Sequence, residues 1–514
     1  MQNKIQAINT HMPNGGASIY NNGRYLLLIL LFVLGLYTMK SAGLPGFAVV
    51  FGGVPVLIGV TYLLLNHRMM VFWVLFVFNF FVMGLTKYIN FPVPVSLPNE
   101  GLEIVLIMLA IIDAEDMQFK RLANLMGLML MVWCAFITLE LLNNTVDYGD
   151  IVGPWFTGAR LMAFKLVYAF IIYSIYINTP EKLRKLLYVW AILSIFCTYW
   201  AWQQKNIGFT APEQRWFNAV GYRTHRVNGI VRYFSLMNDA ATYGINAASS
   251  ALVFYATGLT SRLKRDRLFF LIAGGVTTYG MMLSGTRTAM ACIIFGFVVY
   301  LILSKSVKIM AWAGAVFTVL VIFLAFTDIG NGNPTIRRMR STFNKNDASA
   351  NVRTINQQSM KKYLDEAPFG IGVGRSVENI PPNNRYRTLA GIPPDSEYVF
   401  IWVHTGYVGI SVFLVTTAIM FIAACWVVFF QIKNPRLRGI GGGICAAFAS
   451  IQLGGYGNQV LMQFPNDLLF YGSLAIIFNL HLMEDEWEVQ ENRLLAEEQE
   501  RRRQKLLKQQ SKRV

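Results

Sequence analysis

Residues Pro393–Gly409, PPDSEYVFIWVHTGYVG, run a polar, acidic cluster straight into an apolar helix. Asp395, Ser396 and Glu397 stand at the helix mouth, and the polar stretch 328–396 before them separates two apolar spans. Irregular backbone beside a bilayer survives only where it is buried in protein or faces water. Carboxylates at the entrance of a membrane helix therefore mark a site before they mark a boundary.

The rest of the chain places that helix in a membrane. Hydrophobic residues make up 54% of the sequence and charged ones only 14%, and apolar stretches of membrane-spanning length recur along it. The twenty-residue criterion yields about fourteen candidate spans, or about twelve if the two shortest are dropped. The expected fold class is an all-α integral membrane protein with a large extracytoplasmic loop. The expected organisation is an N-terminus over 1–24, helices over 25–327 with an outer loop at 204–236, a large periplasmic loop at 328–396, C-terminal helices over 397–482 and a charged tail over 483–514. The spans near 25–39, 46–65, 237–257, 308–327 and 438–455 belong to this count. The first apolar run lacks a small-residue cleavage site and is expected to be a retained span.

Loop charge orients the chain. His67/Arg68, Lys120/Arg121, Lys182/Arg184/Lys185, Arg262/Lys264/Arg265/Arg267, Lys305/Lys308 and Lys433/Arg436/Arg438 all fall on one side, together with both termini. By the positive-inside rule that side is the cytoplasm. The same rule accounts for much of the formal net charge of +17, and no aromatic-basic module points to nucleic acid. All five cysteines lie inside apolar runs, and the five histidines lack ligand spacing. Disulfides and metal ligation are not expected.

Two outer loops break the charge pattern. Residues 204–236 carry Arg215, Arg223, Arg226 and Arg232 against a single Glu213, and 328–396 carries ten Arg or Lys residues, Arg353 among them. Long loops translocate whatever their charge. Basic side chains there either are merely solvated or serve anionic oxygens, which the arginine fork fits.

Three features concentrate the second possibility. In SGTRTA, Ser284–Ala289, Arg287 starts a span after almost no loop, and the small residues before it would let a bulky anion approach the helix N-terminus. The competing reading is an arginine snorkelling to the interface. In SANVRTINQQSMKKYLDEAPFGIGVGRS, Ser349–Ser376, the first half suits an amphipathic helix on the membrane surface, with Arg353 near its start. The second half is a glycine-rich turn, and GIGVG follows no buried strand, so a dinucleotide loop is a poor match. Asp395 and Glu397 form the third feature. They suit a base or hydroxyl binder, or else a helix cap and first-turn acid. Weaker candidates are RVNGIVRYFSLMND, Arg226–Asp239, which holds Arg226, Arg232 and Asn238, and the group Glu140, Arg160 and Lys165. Lys165 is expected to pair with Glu140. The tail from Glu484 turns from acidic to basic and suits a solvated helix with i,i+4 pairs, its basic end near membrane lipids.

Taken in order, these segments resemble the O-antigen ligase and O-antigen polymerase superfamily of bacterial membrane glycosyltransferases. RVNGIVRYFSLMND is similar to that family's Arg–Gly–Asn segment before a span, SGTRTA to its Ser-Gly-Ser-Arg-Gly-Ala motif, and Arg353–Gly374 to its Arg-led helix and glycine turn. DSEYVFIWVHTGYVG matches the spacing of its His-Asn-x-Tyr-Leu…Gly-x-x-Gly signature. The resemblance implies a C-type-like fold in the bacterial inner membrane, with the active site facing the periplasm. It also implies a metal-independent transferase without cofactors, working in lipopolysaccharide or other surface-polysaccharide biosynthesis. The donor would be an oligosaccharide on undecaprenyl pyrophosphate, and the acceptor a lipid-linked glycan or lipid A-core. Arg287 and Arg353 would bind the pyrophosphate. Asp395 stands where the ligases carry His, and it would act with them as the third catalytic residue. Arg226, Arg232, Asn238, Glu397 and Lys165 are the expected substrate-binding residues. A polysaccharide flippase or transporter is the alternative.

Overall fold

The computed structural model describes residues 66–89, 94–112, 118–147, 149–227, 229–305 and 348–511, together with scattered positions at 30–62 and 314–340. The expected spans 25–39, 46–65 and 308–327 fall largely outside these residues, as does 341–347 of the large loop. By contacts the chain divides into two units, Met1–Val71 and Phe72–Val514. The second carries every site residue discussed below.

The structure is mostly helical. The longer helices are α1 Arg68–Leu85, α2 Ser96–Ile112, α3 Leu125–Leu139, α4 Lys165–Tyr176, α5 Pro180–Asn206, α6 Ala240–Thr260, α7 Lys264–Leu283, α8 Arg287–Ser304, α9 Ala348–Leu364, α10 Glu397–Trp426, α11 Pro435–Gly457, α12 Gly472–Leu480 and α13 Glu484–Ser511. Among the described residues, six stretches are long and apolar enough to cross a membrane: Arg68–Leu85, Leu125–Leu142, Val152–Tyr176, Pro180–Asn206, Arg287–Ser304 and Glu397–Gln431.

Local sequence sets several helix starts. The Asn124 side chain accepts from Gly127 N–H at the head of α3. Thr179 with Pro180 opens α5, and Asn434 with Pro435 opens α11. Asp239 caps α6, its carboxylate accepting from Ala241 and Thr242 N–H at 2.7 and 2.9 Å. Each side-chain oxygen takes up a first-turn N–H that no carbonyl of the helix can reach, and proline there gives up no hydrogen bond.

The expected spans 237–257 and 438–455 are helices, α6 and α11, but they are not among these six stretches. Both are buried on almost every side, against each other and α8. Small residues bring the backbones close. A Cβ on Gly443 would sit 2.5 Å from the Ala256 Cβ, and one on Gly296 would sit 2.7 Å from the Ala446 carbonyl oxygen. Polar side chains meet across the seam, Ser249 to Ser450 at 2.9 Å and Asn246 of α6 to Asn466 at 2.8 Å. These helices tolerate polarity because they face protein, not lipid.

The segment before α10 folds back onto it. Val146, Met360, Leu364, Ala367, Ile371, Ile380, Tyr386, Leu389, Val399 and Val403 form one small apolar core. α9 and the turn that follows are thereby fixed against the first half of α10.

α10 itself is broken. Gly406 has φ 63° and ψ −164°, a region essentially closed to side chains. The break frees backbone carbonyls, and the turn Pro368–Gly374 takes them up: Ile371 N–H donates to Val403 O at 3.0 Å and Gly372 N–H to His404 O at 3.1 Å. In return Val408 N–H donates to Pro368 O at 3.2 Å. The glycine-rich turn is thus a backbone plug for a discontinuous helix, which satisfies groups that lipid cannot. A Cβ on Gly406 would lie 2.0 Å from the Pro368 oxygen. Gly406→Ala is expected to cost at least the about 1–3 kcal/mol of a strained backbone position and to detach the turn. Thermal unfolding in detergent and protease sensitivity around 365–376 measure this; an unchanged midpoint and an unchanged digest would contradict the plug.

The tail is a helix, α13, with the expected i,i+4 pairs, such as Arg493 with Glu497 at 3.2 Å. Its first turns are not merely solvated. Glu484 accepts from Lys433 and Asn434 N–H at 2.6 and 2.9 Å, and the buried Glu491 pairs with Arg436 at 2.9 Å.

Candidate functional site

The helix ends nearest Pro393–Gly409 gather the arginines. α7 and α8 are joined by Ser284–Thr286, so Arg287 begins α8 at the end of the helices where α6 also begins. Arg232 reaches this point from a short hairpin, β1 Arg226–Val227 with β2 Ile230–Val231. Its Nη2 donates to Thr286 Oγ1 at 2.8 Å, and that hydroxyl donates on to Ala240 O at 2.9 Å. Burial lowers the pKa of the Arg232 guanidinium. Asp239 opposes the shift, and the charges of Arg287 and Arg353 add to it. The charges of Arg232, Arg287 and Arg353 therefore act on one another. Like charges brought near one another repel, which an anionic ligand would relieve.

Asp395 joins the group through α9. Asn356 lies one helical turn after Arg353 and donates from Nδ2 to Asp395 Oδ2 at 3.3 Å. Residues three apart share a helix face, so Arg353 and the Asp395 contact lie on the same side of α9. Both Asp395 and Arg353 are half-buried and within reach of solvent. Asn356 went unnoticed in the sequence. Its i+3 spacing from Arg353 is a signal only once Asp395 is known to lie opposite.

The turn SGT is closed rather than open. Ser284 and Thr286 are buried, and the Ser284 hydroxyl donates to Met281 O at 2.7 Å while accepting from Thr286 N–H at 3.1 Å. A Cβ on Gly244 of α6 would meet Ser284 Oγ at 2.2 Å. The small residues anticipated as an opening for an anion serve helix packing instead.

The other expected binding residues are dispersed. Arg226 is exposed, its Nη1 donating to Tyr222 OH at 3.1 Å. Asn238 is half-buried beside the Asp239 cap. Glu397 is 3% exposed, and its carboxylate accepts from Leu461 N–H at 2.9 Å. It secures the segment between α11 and α12, and Ser396 donates to Gly455 O near the end of α11 at 3.0 Å.

Lys165 does not meet Glu140. It is buried, its Nζ 3.3 Å from Asp467 Oδ2 and 3.8 Å from the Phe464 ring centroid. Glu140 instead accepts from Asn143 Nδ2 at 2.8 Å, and the same amide nitrogen donates to Phe369 O at 2.8 Å. Arg160 makes a bidentate pair with Glu100, at 2.7 and 2.8 Å. The reason is orientation. A π-helical turn, Arg160–Phe164, sets the phase of α4, and α4 packs on α12 and the segment 467–471. Lys165 therefore points at Asp467, over three hundred residues away, and not at Glu140.

His225 supports the hairpin. Its Nδ1 lies 3.0 Å from Gly221 O, and its Nε2 accepts from Ala240 N–H at 3.2 Å. A proton on Nε2 would set two donors against each other. Burial lowers its pKa to about 4, from an ordinary 6.5; Arg232 and Lys87 add to the shift, and Asp239 and the Gly221 carbonyl oppose it. The unfolded chain thus takes up this proton near 6.5 and the fold only near 4. The resulting stability is complete above pH 6.5 and lost as pH falls toward 4. His225→Gln is expected to flatten the fall in melting midpoint between pH 7 and 5. An equally steep fall in the variant would remove His225 as its cause.

The helices define a mostly helical, multi-pass membrane protein. Residues 268–414 are similar to the family described as O-antigen ligase, which supports the resemblance to the O-antigen ligase and polymerase superfamily. The matched stretch includes Arg287, Arg353 and Asp395 but stops short of Arg226, Arg232, Asn238 and Lys165 on its N-terminal side. The match supports a glycosyl-transferring enzyme of polysaccharide or O-antigen biosynthesis with lipid-linked glycan substrates. No curated protein matches the chain.

Proposed function

We propose that this protein transfers a glycan from polyprenyl pyrophosphate to an acceptor hydroxyl at the periplasmic face of the bacterial inner membrane, as an O-antigen polymerase or ligase. The observation that carries the proposal is the mutual charge interaction of Arg232, Arg287 and Arg353, with Arg353 one helical turn from the Asn356–Asp395 contact on α9. The acceptor oxygen attacks the anomeric carbon, and the lipid pyrophosphate leaves with the bonding electron pair. Arg287 and Arg353 stabilise the charge that grows on that leaving group, since charge-assisted, bidentate contacts to phosphate are the strong kind. Arg232, held by Thr286, adds positive field from behind. Asp395 orients the acceptor hydroxyl or takes its proton, and no metal enters these steps.

One observation favours a second reading, a polysaccharide flippase or transporter. Lys165, Asp467 and Glu103 are charged side chains buried among helices, and α10 is discontinuous; transporters use both features. The test is the purified full-length protein with a polyprenyl-pyrophosphate oligosaccharide. Release of free polyprenyl pyrophosphate together with a longer or newly attached glycan supports the transferase. Movement of donor across a liposome bilayer without new glycosidic bonds supports the transporter. In cells, loss of the gene should leave a single repeat on core if the protein is a polymerase, and unattached lipid-linked polymer if it is a ligase.

A further inference from the structure

The opposite end of the same helices holds a second site. A cavity of about 1260 Å³ opens where α3 begins and where α10 and α12 end. From the break at Gly406, the second half of α10 runs to Trp426, so at 1.5 Å per residue this end lies about 30 Å beyond that break, on the side away from Asp395. Leu125, Ile419, Ile422 and Trp426 form apolar walls. Ile422 and Trp426 remain 64% and 55% exposed, which opens the walls toward the surrounding hydrocarbon.

The polar groups in this cavity are an unbalanced set. Arg121 is 9% exposed, its Nε donating to Gln118 Oε1 at 2.6 Å and its Nη2 to Asn178 O at 3.3 Å. Its Nη1 has no partner among the described residues, nor has Nδ2 of Asn479, which is 3% exposed. Both atoms are donors, and both side chains line the cavity. Lys120 and His481 stand on its rim. One exposed carboxylate, Glu486, acts on Arg121 from outside. Buried donors are rarely left without acceptors. Two of them above an apolar wall call for a ligand with anionic oxygens at one end and hydrocarbon at the other.

We propose that this cavity binds an anionic diacyl phospholipid of the leaflet at that end, with its phosphate on Arg121 Nη1 and Asn479 Nδ2 and its acyl chains along Leu125, Ile419, Ile422 and Trp426. Basic pockets between helices at a membrane face suit such headgroups, and Trp426 lies where an indole edges the headgroup region. A polyprenyl phosphate shares the phosphate chemistry. The site is nevertheless assigned to the diacyl lipid, because it lies at the far end of the helices from the arginines that would hold the carrier.

The test uses full-length protein in detergent, titrated separately with phosphatidylglycerol, phosphatidylcholine and a polyprenyl phosphate. Thermal unfolding and native mass spectrometry of retained lipid give the readout. Phosphatidylglycerol should raise the midpoint and stay bound, and phosphatidylcholine should do neither. Asn479→Asp, nearly the same in shape, puts a carboxylate against the phosphate and should weaken phosphatidylglycerol about tenfold or more, as expected for losing a charge-assisted hydrogen bond. Lys120→Glu, on the exposed rim, should weaken it several-fold with no change in the lipid-free midpoint, which keeps the test valid if Asn479→Asp fails to fold. Equal responses to the two phospholipids, tighter binding of polyprenyl phosphate, or full phosphatidylglycerol affinity in the variants would overturn the proposal.

Discussion

Arg287→Ala and Arg353→Ala are each expected to abolish detectable glycan transfer while the protein still accumulates in the membrane. Removing one preorganised contact to developing charge typically costs about 100- to 1000-fold in rate. Arg→Lys at either position should also be poor, because a point charge cannot reproduce the two-pronged guanidinium contact. The two losses should not add, since both side chains act on one leaving group and Arg232 feels both charges. The measurement is transfer by purified variants at saturating donor, with protein level in the membrane as control. Near-wild-type transfer in both alanine variants would rule out the pyrophosphate clamp. Full activity in a lysine variant would reduce the role to charge steering.

The second large effect is expected at Asp395. Its carboxylate is half-buried and accepts from Asn356, on the α9 face that carries Arg353. Asp395→Ala should remove most activity while donor lipid still binds. Asp395→Asn separates two roles, since Asn keeps an oxygen for hydrogen bonding but cannot accept the acceptor's proton. Loss of a general base typically costs about 100- to 10,000-fold. An Asn variant at that depth identifies a base, and one with most of its activity identifies positioning. Asn356→Ala should then give a smaller loss, read as a weaker apparent affinity for acceptor. Full activity in both Asp395 variants would leave the residue no part in transfer.

The pattern of apolar runs and the order of the arginine-bearing motifs are local properties of the chain. Span length and the tail's i,i+4 charges depend on neighbours within a few residues, so they could be read directly. The helical character, several of the spans and the family likeness over 268–414 followed from them. Polarity misleads where a helix is wrapped in protein. α6 and α11 carry Asn246, Ser249 and Ser450 because those side chains bond to one another or to neighbouring segments, and hydropathy does not record such partners.

What only the tertiary structure decided are the pairings between distant residues. Lys165 takes Asp467 rather than Glu140 because a π-turn rotates α4 toward α12. Glu397 turns its carboxylate to Leu461 N–H. The glycine turn at Pro368–Gly374, which resembles a phosphate loop in letters alone, closes the gap that Gly406 opens in α10. Each of these choices depends on which faces meet once the helices pack, and a shift of one residue in helix phase, about 100°, changes them. The sequence by itself determined that there are helices to pack and charges to place; packing determined which charge meets which.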